Sequence, residues 1–140
     1  MKSLTPSQDH YLRAILLLSS GENGARICDV AERLGVSKPS VCTAVKTLER
    51  MNLVKRDVQR QIILTPKGTN QARLIMNRQT IIQCYLIEVL GIGIGAAELD
   101  SCAIEHVLSN ETLCSMCKQT GRDLCTKNCS LNIEAKPQEA

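Results

Sequence analysis

A chain of 140 residues is long enough for one domain with a real core, or for a small domain plus an appendage. With no Phe or Trp and only two Tyr, its core must be built from Leu, Ile, Val, Ala and Met, and the aromatic platforms on which single-stranded nucleic acid stacks are missing. The net charge of +3 hides an asymmetry: residues 1–75 carry 12 Lys and Arg against 6 acidic residues, while residues 76–140 carry 5 against 8, so the first part suits a phosphate backbone and the second does not.

The segment from Met1 to His10 is polar and lacks the apolar core of a signal peptide. The most apolar stretch, Ile81 to Ala97, contains Gln83 and Glu88 and is broken by Gly91, Gly93 and Gly95, which is too interrupted to span a bilayer. The expectation is a soluble, cytoplasmic protein with no membrane partner. In a reducing compartment its eight cysteines are thiols or metal ligands rather than structural disulfides.

Thr5-Pro6-Ser7-Gln8 opens a first helix, with Thr5 as cap and Gln8 closing a capping box. Tyr11, Leu12, Ile15, Leu16 and Leu18 recur at helical spacing until Ser19-Ser20-Gly21 ends the run. A second helix runs from about Arg26 to Leu34 with Ile27, Val30, Ala31 and Leu34 as its buried stripe, and Gly35 stops it in the left-handed conformation. Ser37 caps a third helix, with Pro39 in its first turn, reaching about Met51. Leu53–Arg56 and Gln61–Leu64 read as a hairpin around Asp57 to Arg60. Thr65-Pro66-Lys67-Gly68 repeats the cap-then-proline signal and starts a long helix to about Val89. Its apolar seam (Ala72, Ile75, Met76, Ile82, Leu86, Val89) exceeds what a small domain needs and marks Thr69–Val89, with the helix after it, as a homodimer face. Gly91 to Gly95 reads as a loop, Ala96 to Leu108 as a helix, and Asn110 as the cap of a last short helix through the first cysteine pair. From Ser130 onward the chain is polar, contains Pro137 and reads as disordered. No internal repeat is present.

Helix, glycine turn, helix is the helix-turn-helix pattern. It requires a small residue at Ala31, the turn at Gly35 and a plug at Val41, with Val30, Leu34, Val36 and Val45 completing a small core. With Val41 at the centre of the buried face and about 100° per residue, Pro39, Thr43, Lys46 and Arg50 fall on the opposite side. Residues at the start of such a helix meet base edges and later ones meet phosphate. Ser37, Pro39, Ser40 and Thr43 are therefore assigned to the groove of double-stranded DNA, and Lys38, Lys46 and Arg50, with Arg56 and Arg60 on the hairpin, to its backbone. No Arg, Asn or Gln stands at the groove end for bidentate base reading, so discrimination leans on DNA shape and dimer spacing. The alternative use of such a fold is a protein-docking module with a solvated charged face.

Cys102, Glu105 and His106 lie at i, i+3 and i+4 and share one face of a helix. Thiolate, carboxylate and imidazole suit a divalent transition metal. His10 is the only other histidine.

Tyr11-Leu12-Arg13, the helix-turn-helix with its hairpin, the long helix and Cys102-Ala103-Ile104-Glu105-His106-Val107-Leu108-Ser109 together make the chain resemble the diphtheria toxin repressor and manganese transport regulator family of metal-dependent repressors, over about residues 5–110. The resemblance implies a mainly α fold: an N-terminal winged helix-turn-helix over residues 1–68 and a helical metal-binding and dimerisation domain over 69–112; a cysteine-rich tail over 113–140 follows them. It implies a primary metal site of His10, Cys102, Glu105 and His106, with His10 where the family usually has Met or Asp. Gln79, Gln83 and Glu98 stand where iron-type members have ancillary ligands, and no counterpart of the longer members' SH3-like domain is seen. Sulfur and two imidazoles favour Fe(II), Co(II), Ni(II) or Zn(II) over Mn(II), and the resemblance puts iron first.

Cys114-x2-Cys117-x7-Cys125-x3-Cys129 lies outside the resemblance. Four such thiols can hold zinc or an iron–sulfur cluster, or remain unliganded. The expected function is metal-dependent, iron-responsive regulation of transcription, the protein binding a palindromic operator as a homodimer. One rival reading keeps the DNA and moves the signal to iron–sulfur or redox status at the cysteine tail. A second makes the chain an electron-transfer or metal-handling protein that docks through the winged helix. No nucleophile, base and oxyanion set suggests an enzyme.

Overall fold

The computed structural model describes residues 5–19 and 23–120; Cys125, Cys129 and the segment from Ser130 onward lie outside the described residues. The elements are α1 (Pro6–Leu18), α2 (Ile27–Leu34), α3 (Lys38–Arg50), β1 (Val54–Arg56), β2 (Ile62–Leu64), α4 (Pro66–Glu88), α5 (Ile94–Ile104) and α6 (Asn110–Gln119). This is a mainly α chain with a winged helix-turn-helix at its N-terminal end. It divides into two compact units, Met1–Ile75 and Met76–Ala140.

Local signals start and stop the helices of the first unit. Thr5 Oγ1 accepts the Gln8 N–H at 3.3 Å while Gln8 Oε1 accepts the Thr5 N–H at 3.0 Å, completing the capping box of α1. α2 begins at Ile27, one residue later than its apolar pattern suggests, because Arg26 caps it without a side-chain hydrogen bond. It ends at Gly35, φ 64°, where the Val36 N–H turns back to the Ala31 carbonyl at 3.0 Å. Ser37 then accepts the Ser40 N–H at 3.3 Å and starts α3.

β1 and β2 pair antiparallel in the register Val54↔Leu64, Lys55↔Ile63 and Arg56↔Ile62, and Ala25 adds a single bridge to Ile62. The ladder is shorter than the expected Leu53–Arg56 and Gln61–Leu64. Leu53 is spent elsewhere: its carbonyl accepts the Thr65 N–H at 3.0 Å. Thr65 Oγ1 donates to the Asn52 carbonyl at 2.6 Å and accepts the Gly68 N–H at 3.0 Å, so one hydroxyl both caps α4 and seats it on the chain before β1. A Cβ on Gly68 would lie 1.8 Å from the Leu53 oxygen, so only glycine fits there.

The core of this unit joins α1, the helix-turn-helix, the hairpin and the start of α4. Leu12, Ile15, Val30, Val41, Val45, Leu48, Ile62 and Ala72 have no exposed surface. Leu34 packs partly buried against them, but Val36 does not join this core. It is 37% exposed and lies outside the cluster.

In the second unit Ile81, Ile82, Ala97, Leu113 and Cys117 are buried, together with the polar Gln79, Ser101 and Glu105. The helix expected over Ala96–Leu108 runs instead from Ile94 to Ile104, so the preceding loop is shorter than Gly91–Gly95. Glu105 keeps a helical backbone, but the N–H groups of Val107 and Leu108 both return to the Ile104 carbonyl, at 3.1 and 3.3 Å. The carbonyls released at Glu105 and Leu108 are taken by the Arg78 guanidinium, each at 2.7 Å. α6 is capped by Ser109, whose hydroxyl accepts the Thr112 N–H at 3.2 Å, rather than by Asn110, whose side-chain oxygen is occupied by Arg78 at 2.8 Å. No helix among the described residues is long and apolar enough to cross a membrane.

Gly68→Ala should destabilise the chain by about 1–3 kcal/mol through overpacking against backbone, seen as a lower melting temperature by circular dichroism. Gly95→Ala, in α5 with nothing within 4 Å of the new methyl, should not lower it, since alanine is favoured over glycine by about 1 kcal/mol in a helix.

Candidate nucleic-acid interface and metal centre

α3 has one dry face and one wet face. Val41, Val45 and Leu48 are fully buried, while Ser37, Lys38, Pro39, Ser40, Thr43, Lys46 and Arg50 are exposed. Burying each apolar side chain contributes roughly 1.5–3 kcal/mol, so the helix cannot rotate about its axis without losing several such contributions. The groove-end hydroxyls are already ordered. Ser37 Oγ and Ser40 Oγ lie 2.8 Å apart, and Thr43 Oγ1 donates to the Pro39 carbonyl at 3.0 Å, leaving its oxygen able to accept.

An open groove of about 390 Å³ runs between the start of α1 and α3, with Thr5, Ser7 and Gln8 on one wall and Ser40, Thr43 and Thr47 on the other. The sequence pattern did not place the first turn of α1 beside the recognition helix. The signal available was the run of hydrogen-bonding side chains from Thr5 to Gln8.

The wing is a stiff structure. Asp57 Oδ1 accepts the N–H groups of Gln59 and Gln61 at 2.8 and 2.9 Å, and Arg60 adopts φ 60°, which turns the chain back into β2. Arg60 and Lys55 are exposed. Arg56 is different: its Nε lies 3.5 Å from Glu49 Oε1, so part of its charge is balanced within the first unit.

The expected metal donors are distributed unevenly. His10 is exposed on α1 in the first unit, while the other three lie at the end of α5 in the second. Cys102 is half-buried in the last turn, Glu105 is 4% exposed at the C-cap, and His106 is exposed in the following turn. Glu105 is engaged by Arg78, with Nε 3.0 Å from Oε1. Among the described residues no three His, Cys, Asp or Glu side chains are gathered closely enough to hold a metal ion. The donor set itself, one thiolate, one carboxylate and two imidazoles, has the chemistry of a divalent transition-metal site.

Cys114 is half-buried and Cys117 is 3% exposed on α6, beside the buried Leu113. Cys125 and Cys129 are outside the described residues. Arg78 did not stand out from the sequence as a functional residue. It lies three residues after Ile75 and four before Ile82, on the same helical stripe, and a cation on an apolar stripe is the signal that marks it.

A basic helix-turn-helix with an ordered wing, followed by a separate helical unit, is the architecture of a winged-helix transcriptional regulator. Comparison with known proteins narrows this. Residues 3–61 match the N-terminal DNA-binding domain of the iron-dependent repressors, and residues 65–124 match the metal-binding and dimerisation domain of the same proteins. Over 105 residues the chain is 36% identical to the transcriptional regulator MntR of Escherichia coli O157:H7, covering 75% of this chain and 67% of that protein. Over 111 residues it is 32% identical to the diphtheria toxin repressor of Corynebacterium diphtheriae, covering 79% of this chain and 49% of that one. The manganese regulator SloR superposes with a TM-score of 0.74 at 27% identity, over 84% of this chain and 55% of that chain. The chain thus spans about two thirds of the length of MntR and about half that of the diphtheria toxin repressor. It belongs to the iron-dependent repressor family of metal-dependent transcriptional regulators.

Asp57→Ala should loosen the wing without unfolding the first unit. Amide exchange at Gln59 and Gln61 should accelerate, while exchange at Val45 and Leu48 in α3 stays slow. Unchanged exchange at the wing would show that Asp57 does not hold it.

Proposed function

We propose that this protein is a metal-dependent transcriptional repressor that binds a palindromic operator in double-stranded DNA as a homodimer. The observation that carries the reading is the two-faced α3. A fully buried Val41, Val45 and Leu48 stripe turns the hydroxyls of Ser37, Ser40 and Thr43, and the charges of Lys38, Lys46 and Arg50, to solvent. The first three, with Pro39, meet base edges, and the cations with Arg60 meet phosphate. The family's own DNA-binding domain matches this same segment.

The second unit supports dimerisation. Leu90, Ile94, Leu99 and Val107 are 54–74% exposed and Val89 is 43% exposed, apolar side chains that a partner copy would cover. Much of the seam expected to face a partner is used internally: Ala72, Ile75 and Ile82 are buried within the units. The dimer surface of this reading accordingly shifts to the residues just after α4 and to α5. The match to the family's dimerisation domain covers both.

His10, Cys102, Glu105 and His106 are the metal donors of this reading, and a bound divalent metal would supply a cross-link among donors far apart in sequence. The thiolate and imidazoles favour iron, cobalt, nickel or zinc over manganese, and the family's description puts iron first. By linkage, a metal that raises DNA affinity must be bound more tightly by the same factor when DNA is present, typically about 5–150-fold in such couplings.

Binding to an operator duplex should show a log–log salt slope that falls by about 0.9 for each phosphate the protein no longer neutralises. Lys46→Ala and Arg60→Ala should each lower it by that amount per subunit. Arg56→Ala should lower it less, since Glu49 already balances that charge. A slope unmoved by Lys46→Ala and Arg60→Ala would place this face against something other than DNA. His10→Ala and His106→Ala should remove the metal dependence of binding and leave helicity intact. Leu99→Asp should convert the dimer to monomer in light scattering; a wild-type chain that is monomeric at micromolar concentration with DNA present would overturn the dimer.

A further inference from the structure

Arg78 is tied down by four polar contacts at the turn that carries two of the proposed metal ligands. Nε reaches Glu105 Oε1 at 3.0 Å, Nη1 reaches Asn110 Oδ1 at 2.8 Å, and Nη2 reaches the carbonyls of Glu105 and Leu108 at 2.7 Å each. The side chains of Arg78 and Glu105 are 14% and 5% exposed, so this is a largely dry ion pair.

Two features define what the arrangement can do. Three of the four contacts do not involve the carboxylate, so the guanidinium stays in place whatever Glu105 does. They grip the turn at Glu105, at Leu108 and at Asn110, and His106 sits between the first two. The planar fork of arginine can serve several acceptors at fixed angles, which a lysine ammonium on a flexible stem cannot. Second, Arg78 occupies only Oε1. A carboxylate with one oxygen held by a fixed cation offers the other to one further partner, in one orientation. Outer-shell groups that orient a ligand in this way contribute to metal affinity without touching the metal. Arg78 also compensates the buried charge of Glu105, which would be costly to leave unpaired in the metal-free chain.

We propose that Arg78 is a positioning residue for metal coordination, holding Glu105 by one carboxylate oxygen and the 105–110 turn by its backbone, so that Glu105 presents a single oxygen to a divalent cation. This rests on the reading of Glu105 as a ligand. The opposite role is an internal competitor, a cation that the metal must displace, and the two roles differ in sign.

The test uses the full chain with Co(II) as probe, under anaerobic conditions, its affinity measured by competition with a chromophoric chelator and its coordination by visible absorption. Arg78→Gln should weaken Co(II) binding by about 10–100-fold, and Arg78→Lys should not restore wild-type affinity. Glu105→Gln should weaken it as well. The deciding measurement is the double variant: if Arg78 acts through Glu105, Arg78→Gln costs little further affinity once Glu105 is already Gln. If Arg78→Gln does not fold by circular dichroism, Asn110→Ala removes one of the four contacts and should give a loss in the same direction that also vanishes in the Glu105→Gln background. Unchanged or tighter Co(II) binding in a folded Arg78→Gln chain, or losses that simply add, would overturn the proposal. A Glu105→Gln chain with wild-type Co(II) affinity would instead show that Glu105 is not a ligand, and the proposal would fall with that reading.

Discussion

Val41, Val45 and Leu48 are wholly excluded from solvent, and the burial of that one stripe decides where every other residue of α3 can point. The stripe shares one core with Leu12, Ile15 and Val30, so the helix is fixed in azimuth mostly by aliphatic side chains, in a core whose aromatic member is Tyr11 and which has no Phe or Trp. Removing one of these side chains, as in Leu48→Ala, would cost about 2–5 kcal/mol, a large fraction of the stability of a small domain. The residues opposite the stripe are relieved of any packing duty, so Ser40, Thr43, Lys46 and Arg50 can be selected for what they touch outside the molecule.

Two backbone constraints translate that helix into a winged helix. Gly35 takes φ 64° so that α2 can end and α3 begin at a new angle, and Gly68 lets α4 start against the Leu53 carbonyl where no Cβ would fit. The need for glycine at position 68 was not legible in the sequence, because the Leu53 carbonyl it meets lies outside the local pattern; Gly35 was, because it stands at a helix boundary. The caps at Thr5 and Ser37 were legible for the same reason. These are local signals: a hydroxyl, a proline and a glycine at fixed offsets specify a helix end whatever the rest of the chain does. The buried stripes of α1, α2 and α3 follow from periodicity, and the orientation of Ser37, Lys38, Pro39, Ser40, Thr43, Lys46 and Arg50 follows from them.

What the sequence concealed was decided by contacts between distant residues. Val36 has the composition of a core residue, but it is exposed beside the Gly35 turn. The apolar seam of α4 carries no label saying which of its positions meet their own unit and which remain exposed. Ala72, Ile75 and Ile82 are buried, and Val89, expected in the seam but lying just past the end of α4, is exposed. The end of α5 is set by Arg78, 26 positions before Ile104 in the sequence, which captures carbonyls that would otherwise continue the helix. No local pattern around Glu105 could announce that, although the cation on the Ile75 and Ile82 stripe announces that α4 must find it acceptors.

On the proposed reading of Glu105 as a ligand, the same guanidinium resolves a conflict that a metal-responsive site must face. A ligand carboxylate buried without a counter-charge is expensive in the metal-free state, and a chain that cannot tolerate that state cannot respond to the metal's arrival. Exposing the carboxylate removes the cost but leaves its orientation unspecified. Pairing it with a mobile cation removes the cost but obliges the metal to expel that cation. Arg78 avoids both, because three further acceptors hold it and only Oε1 is taken. Glu105 can therefore be buried, charged and oriented at once, while His106 in the adjoining turn stays exposed and Cys102 half-exposed. A carboxylate in that condition has its charge compensated by arginine and still has an oxygen to give to a metal, and the proposed metal-controlled switch requires both properties of the same side chain.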